Sequence, residues 1–172
     1  MQQYARTLER IEKTYGVPAP ILIAIWGMET DFGAGSGNMS TFRSLATLAF
    51  DCRRSAFFTD QLMAALTIVQ RGDLAPGDMK GAWAGELGQT QFLPTSYVRF
   101  AVDFDGNGHA DLRHSPADVL ASTANYLKGY GWQRGGSWEE GSANFNVLRQ
   151  WNKAEVYAKS AALFADKLVG KQ

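Results

Sequence analysis

One glutamate sits where a helical pattern asks for another aliphatic residue. Ile21, Ile25 and Glu29 fall at i, i+4 and i+8, stacked on one helix face, with Leu22 and Trp26 beside them. A carboxylate on such a stripe loses water, which favours its protonated form, and general acids in glycoside hydrolysis use that environment. The alternative is a side chain that swings to solvent at the helix end or pairs with an arginine. Asp31 is no obvious partner for Glu29, because two residues along a helix rotate the side chain by about 200°. A second catalytic group must come from elsewhere in the chain or from the substrate.

Two further segments carry chemistry. Gly85-Glu86-Leu87-Gly88-Gln89-Thr90-Gln91-Phe92-Leu93-Pro94 sets small residues and amides ahead of a helix-opening proline. Amides can read hydroxyl and acetamido groups with both donors and acceptors, or the segment is a tight structural crossing. Asp103 to Asp111 matches a calcium-binding EF-hand loop at its first, third, fifth, sixth and ninth positions: Asp103, Asp105, Asn107, Gly108 and Asp111. His109 would add its backbone carbonyl. The twelfth position is His114 rather than a bidentate glutamate, so Asp118 on the next helix is the best closing ligand. Such a Ca2+ would be structural, and the alternative is an Asx-rich turn whose side chains cap the backbone. His109 and His114 are the only histidines and have no zinc-protease or nucleophile-elbow pattern around them. Cys52 is the single cysteine, which excludes an intrachain disulfide and a Cys-based metal site, and it is expected to be a buried, inert thiol.

The elements that must position these residues are helical nearly throughout. Tyr4 to Tyr15 is amphipathic and ends at Gly16, and Pro18 or Pro20 opens a helix to about Thr30, ended by Gly33, Gly35 and Gly37. Thr41 caps a short helix to Phe50. Ser55 to Arg71 carries Phe58, Leu62, Ala65, Leu66 and Val69 on one stripe. Pro94 and Pro116 open two more helices, to about Val102 and Gly129, and two closing helices cover about Phe145–Trp151 and Glu155–Leu168. The glycines at 81, 85 and 88 imply close backbone approach or short helical turns. No convincing hairpin appears, so the expectation is an all-α single domain.

Composition narrows the partners. The 172 residues carry 17 Lys plus Arg and 17 Asp plus Glu, with 45% hydrophobic residues. This is ordinary globular usage, and the charge balance argues against nucleic acid. No apolar run is long enough for a transmembrane span, and no export signal is visible. Five Trp, six Tyr and ten Phe can fill a core or line a groove that stacks on sugar rings.

The strings YGVPAPILIAIWGMETDFG (Tyr15–Gly33) and WAGELGQTQFLPTSY (Trp83–Tyr97) resemble the membrane-bound lytic murein transglycosylase B family. The resemblance continues through FDCRRSAFF, the Asp-rich loop, ANYLKGYGW and NFNVLRQWNKAEVYA, so it covers nearly the whole chain with ordered motifs. It implies a lysozyme-like, α-rich fold and cleavage of peptidoglycan between N-acetylmuramic acid and N-acetylglucosamine, leaving a 1,6-anhydromuramyl end. The family's single catalytic acid/base matches Glu29, and the substrate's acetamido group is thought to supply the nucleophile. Gln91 matches a sugar-contacting glutamine. Arg53 and Arg54 match an arginine pair near the cleft, suited to stem-peptide carboxylates. Tyr157 and Asn152 match residues beside the acid, and the Asp-rich loop matches an EF-hand-like calcium loop. The resemblance further implies a monomer of the periplasm or cell envelope, with no catalytic cofactor.

The chain also departs from the pattern. Ala82 stands where a serine beside the acid is common, Trp151 where tyrosine is common, and the stretch from Trp138 to Phe145 is shorter than usual. These departures keep two alternatives open: a non-catalytic peptidoglycan-binding module of the same fold, and a muramidase that lets water capture the intermediate.

Overall fold

The computed structural model describes residues 2–171. A short 3-10 turn, Gln2–Tyr4, leads into α1 (Ala5–Tyr15), which buries Leu8 and Ile11 and stops at Gly16. Gly16 takes φ 77°, the left-handed conformation that closes helices, and its N–H donates to the Glu12 carbonyl at 2.8 Å. The helix α2 (Ala19–Thr30) follows Pro18 and is the spine of the fold. It is buried on every side from Pro20 to Trp26, and it packs against α8 (Glu155–Leu168) and α6 (Pro116–Gly129). Its C-terminal turn, at Gly27, Met28 and Glu29, is partly exposed.

The residue that ends α2 is Asp31, in a left-handed conformation at φ 50°, with the glycines following it rather than stopping the helix themselves. The helix α3 (Thr41–Phe50) is capped by Ser40, one residue before the expected Thr41, through a 3.3 Å bond from the Arg43 N–H to Ser40 Oγ. Its partner α4 (Ser55–Gln70) buries Phe58, Gln61, Ala65 and Ile68. Leu66, expected on the buried stripe, is 48% exposed, because the inner face is rotated toward Gln61 and Ile68. The remaining helices are α5 (Pro94–Phe100) and α7 (Ala143–Trp151), the latter capped by Ser142.

The fold is all-α as expected, with one addition. Two-residue strands β1 (Met39–Ser40) and β2 (Lys80–Gly81) pair antiparallel, Met39 opposite Gly81. Beyond β2 the glycine-punctuated segment forms two consecutive closed loops. Ala82 N–H donates to the Glu86 carbonyl at 3.1 Å, then Leu87 and Phe92 exchange bonds of 2.7 and 2.8 Å. Glycine at 81 is required here, since a Cβ would run into the Glu86 carbonyl. Close backbone approach, not helical turning, thus explains this run of glycines. One contiguous hydrophobic core joins α1, α2, α6, α7 and α8 to these loops.

Candidate active site

Glu29 lies in the last turn of α2, half-buried, on the wall of an open cleft of about 450 Å³. Its carboxylate is held by residues more than 120 positions away. Trp151 Nε1–H donates to Glu29 Oε1 at 2.9 Å, and the Tyr157 hydroxyl donates to the same oxygen at 2.6 Å. Both bonds are charge-assisted, and the phenolic one is short. Oε2 has no donor among the described residues and is the oxygen available to a ligand. Asp31, left-handed and exposed, plays no part in this arrangement.

The donors are themselves fixed. The Trp151 ring, at the end of α7, is met edge-on by Phe92 and Tyr126, with centroids 5.3 and 4.8 Å away. Burial pushes the Tyr157 phenol far above its ordinary value, and the neighbouring Glu29 charge and hydrogen bond add in the same direction. The shift favours the protonated phenol, the form that donates to Glu29.

The amide-rich segment divides into two kinds of glutamine. Gln89 is a structural tie: its Oε1 accepts from Trp26 Nε1 at 2.9 Å, its Nε2 donates to the Arg113 carbonyl at 2.8 Å, and its own carbonyl accepts from Thr30 Oγ1 at 2.5 Å. These bonds lock the C-terminal end of α2 to the loop. Gln91 lines the cleft opposite, at φ 55°, a left-handed conformation that a non-glycine residue holds only when its surroundings over-determine it. Its Nε2 donates to the Ser36 and Gly88 carbonyls at 3.3 and 2.9 Å, which leaves the amide oxygen as an acceptor for a ligand. Asn152 also lines the cleft, with its Oδ1 accepting from Ala154 N–H at 2.9 Å. Ala82 lines it too and offers no side-chain donor.

The arginine pair lies apart from Glu29, in a neighbouring cavity that meets the cleft at Trp83. Arg53 is engaged by Asp51 through bonds of 2.5 to 3.1 Å, which hold the Asp51 carboxyl down at about 2. Arg54 lies over the Phe57 ring at 4.4 Å. Between them and Asp51, Cys52 is exposed rather than buried, because it sits in the turn joining α3 to α4 and packs against neither. Two cleft residues, Trp83 and Glu86, were not singled out from the sequence as site residues, and Trp151 was noted there only as a departure. The one available signal is that Glu86 falls within the amide-rich segment Gly85–Pro94, with Trp83 two residues before it.

In the Asp-rich loop and at the start of α6, Asp103, Asp105 and Asp118 bring carboxylate oxygens within 4.8 Å of one another. Asp118 is fully buried and accepts from the N–H groups of Phe104, Asp105 and Asp111; burial nevertheless pushes its pKa up. Asn107 Oδ1 accepts from His109 N–H at 3.0 Å, which folds the His109 backbone into the same loop. His114 pairs with Asp111 at 2.9 Å instead of closing the cluster. Three convergent carboxylates, one of them desolvated, fit a hard divalent cation.

With this geometry established, comparison with known proteins identifies the class. The sequence profile of the transglycosylase SLT domain matches residues 1–143, and the chain belongs to that family. It is 40% identical over 134 residues to the membrane-bound lytic murein transglycosylase B of Escherichia coli K12, a match covering 77% of this chain and 37% of that protein. Superposition on SltB3 from Pseudomonas aeruginosa, solved in complex with NAG-anhNAM-pentapeptide, gives a TM-score of 0.94 at 35% identity, covering 99% of this chain and 61% of that one. The E. coli lytic transglycosylase Slt35 in complex with calcium gives 0.89 at 27% identity, covering 98% and 71%. The lysozyme-like, mainly helical fold is shared with these structures. The chain spans well under half of the E. coli relative and about three fifths of the SltB3 chain.

Proposed function

We propose that this chain is a lytic transglycosylase domain of the cell envelope, with Glu29 as its sole acid/base. It would cleave the β-1,4 bond between N-acetylmuramic acid and N-acetylglucosamine of peptidoglycan. The observation that carries the reading is the anchoring of Glu29: one oxygen is clamped by Trp151 and Tyr157, and the other is free toward a cleft lined by amides. In the first step Glu29 gives its proton to the glycosidic oxygen as the C1–O4 bond breaks. The muramyl acetamido oxygen bonds to C1, giving an oxazolinium. In the second step the Glu29 carboxylate takes the proton of the 6-hydroxyl, O6 bonds to C1, and the C1–acetamido oxygen bond breaks to release the 1,6-anhydro product. Substrate assistance removes the need for a second catalytic carboxylate. An acid that returns as a base needs a fixed direction of approach, which the two donors on Oε1 supply.

Gln91, through its free amide oxygen, and Asn152 would bind sugar at the cleft, and Tyr157 would orient the acid. Arg54, with Arg53 beside it, would meet stem-peptide carboxylates beyond Trp83. Asp103, Asp105, Asn107, the His109 carbonyl and Asp118 would hold a structural calcium. The calcium-bound Slt35 structure supports that assignment, as the NAG-anhNAM-pentapeptide complex of SltB3 supports the substrate. The name of the membrane-bound E. coli relative supports an envelope location, and no helix among the described residues is long and apolar enough to cross a membrane.

One observation favours a second reading. Glu86 also lines the cleft, and a second carboxylate could serve a hydrolytic muramidase that activates water. Mass spectrometry of muropeptides released from purified sacculi separates the readings. Anhydromuramyl ends from the wild type, and none from Glu29→Gln, support the transglycosylase. Reducing muramic ends indicate the muramidase. Binding to sacculi without release indicates a non-catalytic module.

A further inference from the structure

The loop Ala82–Glu86 combines two features that the assigned chemistry leaves unused. Trp83, at the tip of the loop, is 68% exposed, although nothing about a helical fold calls for a tryptophan there. It borders three contiguous spaces: the cleft of Glu29, a shallow hollow over α3, and the cavity holding Arg53 and Arg54. Three residues further on, Glu86 lines the Glu29 cleft, and one of its carboxylate oxygens, Oε2, is buried without a hydrogen-bond partner among the described residues. A buried acceptor without a donor is costly and rare in native proteins, and a ligand that brings a donor removes the cost.

The backbone that carries both side chains is fixed. Its ends are tied by the Ala82 N–H to Glu86 carbonyl bond and by a 3.2 Å bond from Gly85 N–H to the Ala82 carbonyl. Gly85, at φ 89°, presses against the Leu45 side chain so closely that a Cβ would collide with it. A rigid loop presenting an exposed indole and an unpaired carboxylate along one groove matches the two-sided chemistry of a pyranose. Its C–H face is apolar, and its rim carries hydroxyl and amide donors.

We propose that Ala82–Glu86 is a saccharide-recognition loop, in which the Trp83 indole packs on a pyranose face and Glu86 accepts a hydrogen bond from a hydroxyl or acetamido N–H of the same glycan. The inference rests on the peptidoglycan reading above and names its next contact: a strand seated at Glu29 runs over Trp83 toward the arginine cavity. Trp83 and Glu86 hold the strand and do not enter proton transfer, so they govern KM rather than kcat or the nature of the product.

The test uses peptide-free glycan strands, prepared from sacculi with an amidase, so that arginine–peptide contacts do not contribute. Trp83→Ala should raise KM about tenfold, which corresponds to about 1.4 kcal/mol, and change kcat by less than about threefold. Glu86→Ala should raise KM by about fivefold, and Glu86→Gln, which keeps one acceptor oxygen, should recover part of that loss. Thermal melts of each variant confirm folding. Affinity for the same strands, measured by calorimetry in the Glu29→Gln background, should fall by matching factors. Cleavage with unchanged KM and affinity in both Trp83→Ala and Glu86→Ala overturns the loop assignment and leaves the catalytic reading intact. Conversion of anhydro to reducing products, or loss of kcat alone, in Glu86→Ala overturns it in favour of a catalytic Glu86. Strand binding that Trp83→Ala and Glu86→Ala weaken, in a wild type that cleaves nothing, supports the loop and overturns the catalytic reading. A wild type that neither binds nor cleaves overturns both.

Discussion

Tyr157→Phe isolates one of the two bonds that hold the acid. The substitution keeps the ring and removes only the hydroxyl that donates to Glu29 Oε1 at 2.6 Å. A hydrogen bond to a charged group contributes about 1.5–3 kcal/mol net, and each ~1.4 kcal/mol of barrier is about tenfold in rate. If the bond serves mainly to aim the carboxylate in the transition state, kcat on sacculi should fall by about 10- to 100-fold with KM nearly unchanged. Stability should move little, because Trp151 still donates to the same oxygen at 2.9 Å and the phenyl ring fills the space. A Tm drop under about 4 °C is expected, corresponding to about 1 kcal/mol for a chain of this size. Trp151→Phe alone should behave similarly. The pair should not be additive, since one remaining bond still restricts Oε1, whereas loss of both frees the side chain to rotate. The double variant should lose at least about 1 kcal/mol more than the sum of the singles. A Tyr157→Phe enzyme within about twofold of wild type, with its Tm intact, would refute the assignment of the phenol as the residue that orients Glu29.

Three further outcomes follow from other parts of the structure. Calcium should stabilise the chain through the Asp103, Asp105 and Asp118 cluster. At ~100 times a Kd near 0.1 mM the gain is about 2.7 kcal/mol, or roughly 5–10 °C in Tm, and Asp105→Ala should remove it; a melt indifferent to calcium and chelator would indicate a plain turn. Stability should also collapse in alkali. Burial raises the phenols of Tyr97, Tyr126 and Tyr157 above the ordinary range of a tyrosine, so the folded state keeps protons that the unfolded state releases. This contribution is fully present below pH ~10 and declines above it by up to ~1.4 kcal/mol per pH unit per phenol, and a flat urea midpoint between pH 9 and 11 would contradict it. Finally, Gly85→Ala should distort the loop, since φ 89° and the Leu45 side chain both exclude a Cβ. KM for glycan strands should rise more than Tm falls, and a variant with wild-type KM would show that the loop's shape is not needed for binding.

The helices were legible because their punctuation is local. Gly16, Pro94, Pro116 and the amphipathic stripes of α1 and α6 each act within a few residues, and the structure follows them closely. Local signals failed where two features of similar strength compete. At α3 both Ser40 and Thr41 can cap, and the serine wins because the strand pair with Lys80–Gly81 brings the chain in extended at that residue. On α4, Leu66 reads as inward from spacing alone. The inner face is decided instead by Gln61, whose amide oxygen accepts from Thr95 N–H at 3.1 Å at the start of α5. The candidate acid was visible as a misfit on an apolar stripe, but its clamp was not, for Trp151 and Tyr157 are 122 and 128 positions away. Neither spacing nor propensity carries information over such distances, and the resemblance of ordered motifs supplied what periodicity could not.

The clamp and the loop also explain why a single carboxylate is positioned by so large a fold. Glu29 leaves the core at the end of a helix buried on all sides, so its Cα moves only with α2. Gln89 joins that same helix end to the loop opposite, through Trp26 and Thr30 at one side and Arg113 at the other. The two walls of the cleft are thus one rigid body on the side where Gln91 and Glu86 lie. The third wall, Trp151, arrives from α7, Tyr157 joins it on Glu29 from α8, and α8 packs along α2. Each wall is referred to the same helix, so an error in placing one is not added to an error in another. In the proposed reaction one group first delivers a proton to one oxygen and then withdraws it from another, and geometry held this way would keep that group aimed through both steps.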